Sequence, residues 1–369
     1  MEPRIVEGWD IPKSEYLEAH TNDRLVKLLI ELSNVCNLSC SGCFTNRVEE
    51  GWNSKTKKKL SDELHFDTYV SLFEEAAEMG VRSVDIVGSG EPTLDPRFKD
   101  ILEVITGVGM RAVVFTHGAT PTMQKEDWYF DRDISFFLKM WSLDSQRQNE
   151  YVGGYSSKYS EMRTSALYRL VEAGFSEGKR VTFDGIAYRT TKLGGDVLVR
   201  NTNADEISDV LRFCRETGIM PLIKTYIPEG PTRIDQQANR EIYSEEELRI
   251  LKEDEISPEN YSGLIEVLAR IDREEFGIPD MKTFYPQGSK CTQSMATLHV
   301  TVTGDIRACV GTHNSYGTYK KGENMLFTAV QNRKETVGFG CVPRLEEIKS
   351  RNLSVTPRLI QIYGDGLLE

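Results

Sequence analysis

The chain has 369 residues, 39% hydrophobic, 28% charged and 9% aromatic, enough apolar material for a large core and too much for a disordered or fibrous protein. Forty-five Lys and Arg against fifty-seven Asp and Glu leave a net charge of −12, which opposes non-specific binding to nucleic acid or anionic lipid. No run of about 18 apolar residues occurs, and the start MEPRIVEGWD lacks a basic segment followed by an apolar one, so a membrane span and a secretion signal are not expected and the cytoplasm is.

Residues 1–25 are polar, mixed and without periodicity, and read as an arm laid over the body. VKLLIEL (26–32) is an apolar run of strand length. FDTYVSLFEEAAEM (66–79) has Phe66, Tyr69, Val70, Phe73 and Ala77 at helical spacing, stops at Gly80 and leads into VDIV (84–87), which completes a βαβ unit. The alternation continues through a helix near 97–107, strands AVVF (112–115) and ISFFLKMW (134–141), and a helix near 160–173. Strand VTFDGIAY (181–188), a helix over 204–217 and strand PLIKTYI (221–227) follow. Six strands alternating with helices predict an α/β protein with a parallel sheet, either a partial (β/α)6 barrel or an open doubly wound sheet, with ligands at the carboxyl ends of the strands. Residues 229–285 are charge-dense and helical and read as a connector. From about 286 an alternating strand pair, TLHVTVTGDIRACV, turns at Thr303-Gly304-Asp305 and marks a small second domain over 286–369. The lysine-rich patch KTKKK (55–59) reads as a loop.

Three of the seven cysteines fall within eight residues, which favours metal or redox chemistry over a disulfide framework. They stand directly after the first strand as Cys36-Asn-Leu-Ser-Cys40-Ser-Gly-Cys43-Phe44, that is C-x3-C-x2-C and an aromatic residue. Three thiolates in one loop can hold three irons of a 4Fe-4S cube and leave the fourth iron open to an outside ligand. A zinc knuckle is the alternative, but no His or Cys lies nearby in sequence to close a tetrahedron.

The loop, the strand before it and the alternation after it resemble the radical S-adenosylmethionine (radical SAM) superfamily over roughly residues 26–227. The resemblance implies a partial (β/α)6 TIM-like barrel. It also implies S-adenosyl-L-methionine, chelated by amine and carboxylate on the open iron and cleaved by one electron to methionine and a 5′-deoxyadenosyl radical that takes a substrate hydrogen. Ser89-Gly90-Glu91-Pro92 after the second strand resembles the family's Gly-Gly-Glu-Pro segment, with Ser89 for the first glycine; Gly90 would allow close backbone approach and Glu91 would accept the methionine amine. Phe115-Thr116-His117-Gly118 resembles Thr-Asn-Gly, with Thr116 a ligand-facing hydroxyl and His117 either a turn residue or a proton donor. Trp141-Ser142-Leu143-Asp144-Ser145 resembles the ribose-binding Ser-x-Asp, the alternative being a cap on the following helix. Phe44 would lie beside the adenine, and Lys139 and Arg163 could reach the cofactor carboxylate.

Of the other cysteines, Cys214 sits on the apolar side of a helix and reads as a core thiol. Cys291 and Cys309 bracket the hairpin as C-x12-G-x4-C, with Gly304 at a tight turn that would bring the thiols toward one point. This resembles the start of the auxiliary-cluster domains called SPASM and twitch. With Cys341 alone following, it implies the shorter twitch kind, a β-hairpin-plus-helix domain with one auxiliary 4Fe-4S cluster on Cys291, Cys309 and Cys341; His299 or His313 are further neighbours.

The expected function is that of a radical SAM oxidoreductase that dehydrogenates or cyclises a small metabolite with the auxiliary cluster as electron acceptor. The alternative substrate is a ribosomal peptide, disfavoured by the 25 or so residues before the first strand. A GTP-cyclase-like enzyme is a third reading, against which stands the terminus Gly364-Asp365-Gly366-Leu367-Leu368-Glu369 in place of Gly-Gly. An iron–sulfur electron carrier is the non-enzymatic one. The chemistry implies a low-potential donor such as flavodoxin or ferredoxin. No motif identifies the substrate or a catalytic acid or base.

Overall fold

A computed structural model describes residues 1–45, 58–153, 157–183, 185–226, 244–279, 293–312 and 314–334. In chain order the opening segment holds β1 (Arg4–Val6) and α1 (Lys13–Thr21). The expected alternation follows as β2 (Lys27–Glu31), α2 (Phe66–Glu78), β3 (Ser83–Gly88), a short 3-10 turn at Pro92–Leu94, α3 (Phe98–Gly107) and β4 (Arg111–Thr116). Next come α4 (Pro121–Lys125), β5 (Ile134–Lys139), α5 (Ser145–Tyr151) and α6 (Tyr159–Glu172). Then follow β6 (Arg180–Phe183), β7 (Ile186–Thr191), β8 (Leu193–Leu198), α7 (Ile207–Thr217) and β9 (Met220–Lys224). Two helices, α8 (Glu245–Asp254) and α9 (Pro258–Phe276), occupy the charge-dense stretch. The last described elements are α10 (Gln293–Ala296), β10 (Thr297–Val300), β11 (Asp305–Arg307), β12 (Ser315–Thr318) and α11 (Met325–Lys334).

Nine strands form one sheet in the order β12-β11-β10-β2-β3-β4-β5-β8-β9, with β2, β3, β4, β5, β8 and β9 parallel to one another. Because β12 and β9 end the row, the sheet is an open, partial (β/α)6 barrel. Burial on both faces explains the continuous apolar runs. Leu28, Ile30, Val84, Ile86, Ala112, Val114, Phe136 and Leu138 face the helices, where Phe98, Ile101, Leu102 and Ile105 of α3 and Tyr69, Leu72 and Phe73 of α2 cover them. Each such side chain contributes about 1.5–3 kcal/mol on leaving water.

Two expectations are corrected. VTFDGIAY does not join the barrel: β6 and β7 form an antiparallel pair in a separate three-stranded sheet with β1. The barrel strand is instead β8, with the sequence LGGDVL, pairing with β5 and β9. Its glycines read as a break in sequence, yet they serve packing: a Cβ on Gly194 would stand 2.2 Å from the Phe137 ring, which stacks on Phe115 with centroids 4.6 Å apart.

The opening arm is also ordered. Trp9 lies edge-on to both Phe115 and Phe137 at 5.2 Å, with Lys27 Nζ 4.1 Å from its ring. It fills the inner face of the sheet at the strands' amino ends. Below it Lys27 and Asp85, both fully buried, pair at 3.1 Å. Burial holds the carboxyls of Asp85 and Asp10 up at about 6, Lys27 pulling both back down.

The C-terminal strand pair continues the sheet, β10 running parallel to β2 and antiparallel to β11. Gly304 has φ +91°, as its turn position requires, and residues 301–304 separate the two strands.

Candidate functional site

The carboxyl ends of the parallel strands converge on the cysteine loop after β2. Two neighbouring segments fix its course by backbone hydrogen bonds. The Gly90 N–H donates to Ser33 O at 2.7 Å and the Glu91 N–H to Val35 O at 2.8 Å. Ser89 Oγ donates to Asn34 Oδ1 at 2.9 Å, and Thr45 Oγ1 to Ser89 O at 2.5 Å. Both ends of the loop are thus tied to Ser89-Gly90-Glu91. The close approach that Gly90 permits is to this loop, since a Cβ there would meet Val35 O at 2.1 Å. On the far side, the Ser39 and Ser41 N–H groups donate to Val152 O and Tyr151 O at 3.3 and 3.1 Å.

Cys40 is buried, Cys36 and Cys43 partly so, and all three belong to or pack against an apolar cluster that includes Leu38, Trp141, Tyr151, Tyr159 and Tyr226. Phe44 is half-buried beside them. Cys43 Sγ lies 3.3 Å from Thr45 Oγ1, and Lys139 Nζ donates to Cys40 Sγ at 3.0 Å. Burial opposes the Lys139 charge, but the Cys40, Tyr159 and Cys43 side chains and the hydrogen bond to Cys40 outweigh it, so its pKa is raised. Among the described residues no three His, Cys, Asp or Glu gather as a single-ion site. A cube with one thiolate per iron does not need such a point. Three thiols, an apolar wall and an adjacent cation fit a 4Fe-4S cluster.

Glu91 is buried and is the hub of the strand ends. Its Oε1 accepts from the Thr93 N–H at 3.2 Å, Thr93 Oγ1 at 2.6 Å and Thr116 Oγ1 at 2.6 Å, while Oε2 accepts the His117 N–H at 2.9 Å. Oε2 keeps capacity for a further donor. His117 Nδ1 accepts the Ala119 N–H at 3.0 Å, so Nε2 carries the proton and donates to Asn37 Oδ1, inside the cysteine loop, at 2.8 Å. Burial lowers its pKa, so the ring is neutral.

Ser142 is buried and donates to Glu206 Oε2 at 2.9 Å. Asp144 is exposed and caps α5, accepting the Arg147 N–H at 2.7 Å, which is the alternative the sequence left open. Glu206 also accepts the Leu143 N–H at 3.2 Å and Arg147 Nη1 at 2.9 Å. Sequence reasoning missed Glu206, and also Arg200, which pairs with buried Asp254, donates to Ser41 Oγ at 2.9 Å and lies 4.2 Å from the Tyr151 ring. No local pattern signals either, because each acts across more than fifty residues of chain. Around Ser142 three buried donor atoms, Trp141 Nε1, Gln148 Nε2 and Arg163 Nε, have no hydrogen-bond partner among the described residues. Orphaned donors at strand ends suit an anionic or hydroxyl-rich ligand.

Of the second cysteine set, Cys309 is partly buried just after β11, while Cys291, Cys341 and His313 lie outside the described residues. His299 is buried, its Nε2 3.4 Å from Glu31 Oε1. Cys214 is a core thiol, pushed up to about 12 by burial.

A family profile described as the Radical SAM superfamily matches residues 30–141. The sporulation killing factor maturation protein SkfB of Bacillus subtilis is 22% identical over 193 residues, 52% of this chain and 40% of SkfB. A probable GTP 3′,8-cyclase of Methanothermobacter marburgensis is 25% identical over 216 residues, 57% of this chain and 62% of the cyclase. Both matches therefore span less than two thirds of the relative's length. In fold the chain is similar to the crystal structure of Streptococcus suis SuiB bound to S-adenosylmethionine, with a TM-score of 0.52 at 16% identity over 82% of this chain and 65% of SuiB. No helix among the described residues is long and apolar enough to cross a membrane. Loop spacing, sheet order and profile agree, and the chain carries a radical SAM domain.

Proposed function

We propose that this radical SAM protein is an oxidoreductase acting on a small metabolite, with Cys36, Cys40 and Cys43 holding the reductive cluster and Cys291, Cys309 and Cys341 an auxiliary one. The observation that carries the reading is the three-cysteine loop, tied at both ends to Ser89-Gly90-Glu91 at the carboxyl ends of the strands. When bound, the cluster and S-adenosylmethionine would supply an electron and a 5′-deoxyadenosyl radical able to remove a substrate hydrogen, and a cluster on the second cysteine set would accept the substrate's second electron as a proton is lost.

The chain's own residues would bind and orient. Glu91 Oε2 has room for the methionine amine, and its other contacts hold Thr116 and His117 in place. Arg163, whose Nη2 already donates to Ser142 O at 3.3 Å, has its Nε to spare for the carboxylate. Ser142 and the second carboxylate oxygen of Asp144, whose Oδ1 caps α5, would hold the ribose hydroxyls and Phe44 the adenine, and Tyr151, Trp141 and Tyr226 pack against the thiols. A flavodoxin- or ferredoxin-class protein would deliver the electron.

Iron and sulfide analysis after anaerobic reconstitution tests the two-cluster reading. About eight irons per chain, falling to about four in a Cys291→Ala, Cys309→Ala double variant, is the expected result. About four in both would remove the auxiliary cluster and leave redox-neutral chemistry. The likeness to SkfB favours a second reading, a peptide substrate. Protease treatment of a cell extract separates the two: extract that still stimulates 5′-deoxyadenosine formation supports the metabolite, and extract that no longer does supports the peptide.

A further inference from the structure

Lys139 ends β5, a strand held on both sides by β4 and β8, so its backbone has little freedom to withdraw. Its Nζ stands 3.0 Å from Cys40 Sγ and 4.4 Å from the centre of the Trp141 ring, and Tyr159 packs in the same apolar pocket as Cys40. Among the described residues no carboxylate stands within ion-pair distance of this ammonium. A partly buried cation without a carboxylate is costly unless another negative charge compensates it. The other buried or half-buried lysines of the inner face are so compensated: Lys27 by Asp85 at 3.1 Å and Lys224 by Asp196 at 2.6 Å. For Lys139 the group in that place is the Cys40 sulfur at 3.0 Å, which would carry thiolate charge when it ligates iron.

We propose that Lys139 is a positioning residue for electron entry. Its ammonium donates a hydrogen bond to the Cys40 sulfur of the assembled cluster, and the bond together with the positive charge raises the cluster's reduction potential. Net charge and hydrogen bonds to sulfur are among the levers that set such potentials. The added electron is stabilised by a cation already in place, and no bond is made or broken in this step; the electron comes from the flavodoxin- or ferredoxin-class donor. The inference rests on the three-cysteine assignment but fails separately from it, since iron binding tests the assignment and the potential tests the lysine.

The test is a redox titration followed by electron paramagnetic resonance on the reconstituted full chain, with the reductive cluster identified by the change in its signal on adding S-adenosylmethionine. In Lys139→Met the ratio of reduced to oxidised cluster at a fixed potential should fall about tenfold, which for one electron is about 59 mV. Lys139→Arg, which keeps charge and donor, should restore most of it. An unchanged potential in Lys139→Met at full iron content overturns the proposal. Should that variant take up no iron, Lys139→Gln is titrated in its place. Wild-type protein labelled isotopically at lysine Nζ supplies an independent readout, because a hydrogen bond to the cluster sulfur gives a nitrogen coupling in pulsed resonance spectra, and the absence of that coupling equally overturns the proposal.

Discussion

The inner face of the parallel sheet is polar at both ends, yet the two ends differ. At the amino ends of the strands, Trp9 closes the space between Phe115 and Phe137, and Lys27 meets Asp85 Oδ2 at 3.1 Å, which compensates the charge although Asp85 Oδ1 has no hydrogen-bond partner among the described residues. At the carboxyl ends, Trp141 Nε1, Gln148 Nε2 and Arg163 Nε are buried without partners among the described residues, and Lys139 meets the Cys40 sulfur where Lys27 meets a carboxylate. Buried charges that compensate one another are scaffold; buried donors with capacity left over mark where a ligand completes the structure.

Substitutions at matched positions would break or sharpen this contrast. The largest effect is expected from Cys40→Ala, which should abolish 5′-deoxyadenosine formation with dithionite and S-adenosylmethionine, while the apoprotein stays folded but unfolds at a lower temperature because Lys139 loses its hydrogen-bond partner. At the opposite end Lys27→Met should leave nucleoside formation intact but cost about 3 kcal/mol in denaturant unfolding near neutral pH, because it strands a buried carboxylate. That loss should shrink in acid as Asp85 takes up a proton. Glu91→Ala comes next: it leaves Thr93, Thr116 and the His117 N–H without their acceptor, so a slowing of about 10- to 100-fold with about 2 kcal/mol of destabilisation is expected.

Arg163→Met should weaken S-adenosylmethionine binding about tenfold by calorimetry, at little cost in stability, since the residue it replaces carries an unsatisfied buried donor. Unchanged affinity would mean the spare donors are not ligand-facing. The smallest effect belongs to Asp10. Its folded pKa is raised from 3.8 to about 6, mainly by burial, so its contribution to stability is fullest below pH 3.8 and is lost as pH rises through about 6. Asp10→Asn, which can keep the bond from the Val6 N–H, should therefore gain about 1 kcal/mol above about pH 7 and almost nothing near pH 4. A gain independent of pH would contradict this.

Much of this layout was legible where local chemistry and function coincide. The run at 26–32, the helix at 66–79 and the cysteine spacing each carry their pattern within a few residues, and each lies where expected. β8 was hidden because Gly194 answers to Phe137 across the sheet, a contact that no window of sequence contains. The segment at 1–25 was read as an arm laid over the body, but its contacts were hidden for the same reason: Trp9 and Asp10 meet Phe115, Phe137 and Lys27 only after folding. Glu91 stands out in sequence beside Gly90, yet its four bonds to Thr93, Thr116 and His117 become visible only once β3 and β4 are side by side.

The most direct measurement is 5′-deoxyadenosine formation by the anaerobically reconstituted, dithionite-reduced chain, compared with a variant lacking Cys36, Cys40 and Cys43. The account predicts nucleoside from the wild type, none from the variant, and about four irons fewer in the variant. Cleavage that persists without the three cysteines, or a fully loaded wild type that cleaves nothing, would contradict it.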